Sequence, residues 1–101
     1  MLRHYVFLKY RDGTSADHVT AFCERVLALR ATIAGIEHLE IGRDELHDVR
    51  SWDVVLIMKF ASREALRAYQ RHPLHLAVMA FNTPFVADVG SVDFTSPPTG
   101  E

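Results

Sequence analysis

Between Leu2 and Tyr10 the side chains fall into two alternating sets. Leu2, His4, Val6, Leu8 and Tyr10 point one way, and Arg3, Tyr5, Phe7 and Lys9 the other. A period of two with bulk on both sides predicts a strand covered on both faces. Arg11-Asp12-Gly13-Thr14 is turn chemistry, and Thr14 or Ser15 offers a helix cap with Asp17 in the first turn. From there to about Thr32, Val19, Phe22, Cys23, Val26, Leu29 and Ile33 recur at helical spacing as one apolar stripe, which Ala34-Gly35 ends. Ile36 to Ile41 alternates imperfectly and predicts a second strand closed by Gly42, with a polar, hairpin-like loop over 43–51. Trp52 to Phe60 is β-branched, aromatic and apolar on both sides, the pattern of a central strand. Ser62 caps a helix that carries Ala65, Leu66 and Tyr69; Pro73 cannot continue it but suits the first turn of another, over Leu74 to about Phe81. Asn82-Thr83-Pro84 ends that piece, Val86 to Phe94 reads as a last strand, and 96–101 as a disordered tail.

The order β-α-β-β-α-β predicts an α+β, ferredoxin-like domain over 1–95, with a four-stranded antiparallel sheet and the helices on one face. The other face then presents Tyr5, Phe7, Val55 and Ile57 to water. A contiguous apolar patch of that kind marks an association surface, and a two-fold homodimer pairing sheet against sheet covers it.

Composition narrows the function classes. A chain of 101 residues is one domain. Its formal charge of −2, with both signs interleaved, carries no electrostatic footprint for nucleic acid. No apolar stretch approaches the ~20 residues that cross a membrane, so no membrane partner is expected. Met1-Leu2-Arg3-His4 leads directly into a strand without a signal-peptide pattern, so cytoplasmic residence is the expectation. The single Cys23 sits on the apolar helix stripe and reads as a small buried hydrophobe rather than a reactive thiol.

The candidate chemistry lies in Ala68-Tyr69-Gln70-Arg71-His72-Pro73-Leu74-His75, read together with His4 on the first strand. A phenol and imidazoles are the groups that move protons or hold polar ligands near neutral pH. His4 shares a face with Val6 and Leu8, toward the helices. The Pro73 break reorients the chain between Tyr69 and His75, so the spacing permits His4, Tyr69 and His75 to converge at the mouth of the space between sheet and helices.

On Arg3-His4-Tyr5-Val6-Phe7-Leu8-Lys9-Tyr10, Ala34-Gly35-Ile36, Ile41-Gly42-Arg43-Asp44, Trp52-Asp53 and Tyr69 to His75, the chain resembles the stress-responsive α/β-barrel (Dabb) family of dimeric ferredoxin-like proteins. The resemblance covers about residues 1–95. It implies a dimeric α/β barrel with a small pocket, without fixing a function. One branch, the plant olivetolic acid cyclase type, closes a linear polyketide thioester by aldol condensation with a strand-one His and the Tyr and second His of a Y-x-x-H-P-x-H segment. These positions are His4, Tyr69 and His75 here. That comparison implies His75 as general base, Tyr69 as hydrogen-bond donor to the developing oxyanion and His4 as orienting group, with no metal or organic cofactor. Its apolar pocket falls on Phe22, Cys23, Val26, Leu56 and Met79, beside Val6 and Leu8 of the first strand. The pocket departs from that branch at Cys23 and Val26, which replace aromatic bulk, and at Gly90-Ser91.

The resulting expectation is a homodimer that binds a small, partly apolar molecule between sheet and helices. A cofactor-independent lyase or cyclase and a cofactor-free monooxygenase are the enzymatic alternatives. His72, before Pro73, is expected to serve the helix break. His72 and His75 are spaced to share a metal, but the sequence places no third ligand; backbone carbonyls near Arg30, Ile33 and Ile36 are a further place for an ion in such proteins. His18, His38 and His47 are expected on solvated positions, and Met58 and Met79 as core filler.

Overall fold

The computed structural model describes residues 1–97. Strand β1 (Leu2–Tyr10) runs beside β3 (Val54–Phe60) and β4 (Val86–Thr95), and β2 (Ile36–Arg43) lies outside β3, so the sheet order is β2-β3-β1-β4. Every neighbouring pair is antiparallel. Helices α1 (Ala16–Thr32), α2 (Arg63–Arg71) and α3 (Pro73–Asn82) join them, giving the βαββαβ order with the second helix split at His72.

The local signals explain these boundaries. Ser15 and Ser62 accept hydrogen bonds from the backbone N–H groups of His18 and Ala65, three residues on, and so cap α1 and α2. At the break, His72 is extended (φ −63°, ψ 133°) and its Nδ1 accepts the Leu74 N–H, which caps α3 as Pro73 opens it. Gly35 ends the α1 turn at φ +96°, a left-handed conformation that glycine adopts without a steric penalty.

Leu8, Phe22, Val26, Leu29, Val54, Leu56, Met58, Phe60, Leu66 and Tyr69 form the buried core between the inner sheet face and the helices. The imperfect alternation of β2 has a cause: its register against β3 slips between Ile36 and His38, so Ile36 and Leu39 both reach the core. Strand β3 begins at Val54, two residues later than expected, because Asp53 is used as a clamp. Its N–H donates to the Leu8 carbonyl (2.8 Å), and its carboxylate accepts the Tyr10 N–H (2.7 Å).

Two expectations are corrected. Ser96, placed in a disordered tail, is 6 % exposed; its N–H donates to the Met1 carbonyl and its hydroxyl is bonded by Arg3 Nε. The rest of that tail expectation, 98–101, lies outside the described residues. His18, placed in solvent, is half-buried. Its ring stacks on Phe81 (centroids 4.7 Å) and tilts against Phe85 (3.9 Å), while Nε2 and the Tyr10 hydroxyl both donate to the Asn82 side-chain oxygen (3.0 and 2.7 Å). Asn82, at the end of α3, is 2 % exposed, so this network fastens α3 to α1 and β1 inside the core.

On the outer sheet face, Tyr5 pairs with Ile57 on one side and Val92 on the other, and Phe7 with Val55 and Gly90. Phe94 tilts against Tyr5 (5.8 Å) and Trp52 against Phe7 (6.0 Å). Val92 and Phe94 remain 53 % and 43 % exposed, so no element among the described residues covers that face.

Candidate functional site

His4 enters the space between sheet and helices from the middle of β1, between Leu2 and Val6, and is 6 % exposed. Its cross-strand partner on β4 is Asp93, whose carboxylate accepts a hydrogen bond from Nδ1. A carboxylate can only accept here, so Nδ1 carries the proton.

Tyr69 lies on the inward side of α2, 2 % exposed, and packs on Phe60 at 5.4 Å between ring centroids. His75 sits in the first turn of α3, and its ring lies 4.4 Å from that of Tyr69. Its Nδ1 donates to the Gln70 carbonyl at 3.1 Å, which fixes the tautomer and frees Nε2. The bond spans the Pro73 break, so the same proline that interrupts the helix turns His75 back toward Tyr69. The His4 ring meets Phe60 edge-on at 6.3 Å and is close enough to His75 for their charges to interact.

The electrostatics follow from burial. Desolvation lowers the His75 pKa below its ordinary 6.5; the Gln70 hydrogen bond opposes the shift and the neighbouring His4 adds to it. His75 is therefore a neutral base at physiological pH. The Tyr69 phenol is pushed up to about 12 by burial alone, so it stays a proton donor. Among the described residues, no fully buried side-chain nitrogen or oxygen lacks a hydrogen bond. Among the described residues the Tyr69 hydroxyl and His75 Nε2 have no hydrogen-bond partner, so neither atom is fully sealed from solvent.

The structure thus brings His4, Tyr69 and His75 together around Phe60. It distributes the expected pocket residues differently. Phe22 and Val26 are fully enclosed and Leu56 is 3 % exposed, all within packed core, while Cys23 and Val6 pack partly buried against it. Leu8 and Met79 line a groove of about 290 Å³ with Asn82, Val86 and Val89, between α3 and the inner side of β4. His72 is spent on capping α3, and no group of three or more His, Cys, Asp or Glu side chains is gathered to hold a metal among the described residues. Asp93 is the site residue that sequence reasoning missed. Its only signal is that the last strand carries a carboxylate on an inward position, and which residue it faces depends on the β1–β4 register.

Comparison with known proteins agrees with this architecture. The family described as "Stress responsive A/B Barrel Domain" matches residues 2–96. A dimeric ferredoxin-like protein of unknown function from Thermobifida fusca is similar in structure, with TM-score 0.85 and 26 % identity over 94 % of this chain and 90 % of that one. A dimeric protein of unknown function and ferredoxin-like fold from Bacteroides fragilis superposes with TM-score 0.84 at 24 % identity, covering 94 % and 95 % of the two chains. The hydroxynitrile lyase of Passiflora edulis shares the fold at TM-score 0.84 and 14 % identity, over 96 % and 94 %. No curated protein matches the sequence.

Proposed function

Since the chain belongs to the stress-responsive A/B barrel domain family, we propose that it acts as a homodimer binding a small, partly apolar molecule where His4, Tyr69 and His75 converge. The observation that carries this is the pair of unused polar atoms. Tyr69 Oη and His75 Nε2 belong to rings 4.4 Å apart, and neither has a protein partner among the described residues. A buried phenol packed on a half-buried imidazole, each with a polar atom left open, is a site for a ligand oxygen. The dimer rests on the uncovered Tyr5, Phe7, Val55, Ile57 and Phe94 face and on the Thermobifida fusca relative, which is described as dimeric.

A second reading, cofactor-independent lyase or cyclase chemistry, is favoured by the lowered pKa of His75. Neutral Nε2 takes a proton from a carbon flanked by carbonyls, and the Tyr69 hydroxyl donates to the oxygen where negative charge grows. His4, held by Asp93, lies ready to share that charge. A positioned base contributes about 10²–10⁴-fold and an oxyanion donor a comparable share.

The test is ligand-observed NMR with resorcinol and acetylacetone against wild type, Tyr69→Phe and His75→Ala. Binding to wild type that weakens in both variants supports the site; equal binding in all three, or none, removes it. The catalytic reading requires that exchange of a ketone's α-protons with D2O be accelerated by wild type and lose that acceleration in His75→Ala.

A further inference from the structure

The β1–β4 register sets out a line along the inner sheet face: Leu2 opposite Thr95, His4 opposite Asp93, Val6 opposite Ser91, Leu8 opposite Val89. Cavities open at both ends of that line. At the Leu8 end is the apolar groove of about 290 Å³ with Met79 and Val86. At the Leu2 end is a second cavity of about 250 Å³, lined by Arg63, Leu66 and Arg67 of α2 together with Asp93 and Thr95 of β4. His4 therefore lies between an apolar and a cationic end.

The cationic end has specific chemistry. Arg63 and Arg67 are one helical turn apart and project from the same side of α2. Arg67 donates to the Gln70 side-chain oxygen at 2.8 Å, while Arg63 has neither hydrogen bond nor ion pair among the described residues. The one carboxylate at this cavity, Asp93, is already bonded by His4. Two guanidinium groups against one engaged carboxylate leave the cavity net positive, and guanidinium is the side chain best matched to carboxylate or phosphate oxygens.

We infer that the Arg63–Arg67 cavity is an anion subsite, so that the ligand of the His4–Tyr69–His75 site is an acid with its carbonyl or phenol oxygen several bonds from a carboxylate or phosphate. This inference rests on the proposed binding site and specifies what that site selects. Leu2, which lines the cavity, and His4 are two strand positions apart, about 7 Å, so a ligand reaching His4 can also reach the anion subsite. Leu8 lies about 13 Å beyond His4 on the same line, room for an apolar group on the far side.

A matched pair of probes tests it: 4-hydroxyphenylacetate and its neutral amide, 4-hydroxyphenylacetamide, titrated by NMR against wild type, Arg63→Gln/Arg67→Gln and Tyr69→Phe. Both arginines are exposed, so the double variant retains the fold. The acid is expected to bind wild type about fivefold or more tighter than the amide, with the advantage falling as salt is raised and disappearing in the double arginine variant. Tyr69→Phe weakens both probes. Equal affinity for acid and amide, or an acid preference that survives the arginine changes, overturns the anion subsite while leaving the binding site standing. No binding of either probe to wild type overturns both.

Discussion

His4 and Asp93 meet across the β1–β4 pair, a contact between residues 89 positions apart in which the carboxylate takes the imidazole Nδ1 proton. The bond holds a strand histidine in one tautomer and anchors the edge strand to the sheet's inner face. Asp93→Ala leaves a buried Nδ1–H without its acceptor and is expected to lower stability by about 1–3 kcal/mol. Denaturant unfolding at fixed protein concentration measures this, and ¹⁵N shifts of His4 report whether the tautomer changes with it. An unchanged tautomer and an unchanged midpoint would mean that Asp93 does not orient the ring.

The two tyrosines of the core should respond differently to loss of the hydroxyl. Tyr10 donates to buried Asn82 at 2.7 Å; Tyr10→Phe removes that bond while His18 keeps its own to the same oxygen, and should cost about 0.5–1.5 kcal/mol. Tyr69 donates to no described residue, and Tyr69→Phe should stay within about 0.5 kcal/mol of wild type or exceed it. A large loss for Tyr69→Phe would make that hydroxyl a structural partner rather than a ligand contact.

Ionisation gives a separate handle on the same rings. Burial raises both phenols to about 12, the Tyr10 shift being opposed by its bond to Asn82. A raised pKa means that the unfolded chain releases its phenol protons first, so the stabilisation is complete below pH 10 and is lost as pH climbs toward 12. Absorbance titration near 295 nm should show one late-ionising phenol fewer in each of Tyr10→Phe and Tyr69→Phe.

For His75 the sign is opposite. Its folded pKa lies below 6.5, so the unfolded chain binds the proton more readily. The stability this group confers is present above its unfolded pKa and is lost as pH falls below about 6.5. His75→Asn should flatten the acid side of the stability profile, and NMR titration of wild type should place the His75 midpoint below the ordinary histidine value.

The uncovered sheet face predicts an assembly. Phe7, tilted against Trp52 on that face, contributes to the apolar patch without entering the core between sheet and helices. Phe7→Glu should convert a dimer to a monomer in analytical ultracentrifugation while leaving far-UV circular dichroism intact. A monomeric wild type would refute the dimer directly.

Gly35 shows how much of the fold was legible from local chemistry. Ala34-Gly35 marks the end of α1 in the sequence, and the structure adds a second demand: φ is +96°, and a Cβ there would sit 3.3 Å from that of Ala65. Strand periods, serine caps and the Pro73 break were equally readable, because each depends on residues within a few positions of one another. His18 was misplaced for the complementary reason. Its position on α1 looks polar and local, but its partners Asn82, Phe81 and Phe85 come from the far end of the chain.

The alternation of elements, the two-sided hydrophobicity of β1 and β3, and the residue types capable of proton transfer are legible in the chain alone. Those properties are set by backbone period and side-chain chemistry. The folded arrangement alone makes Asp93 face His4, lets Gln70 free His75 Nε2, packs Phe22, Val26 and Leu56 into the core, and sets two arginines around a cavity with Asp93. Each of these depends on strand register or helix placement over long sequence separations, where a shift of one residue turns every side chain of a strand to the other face.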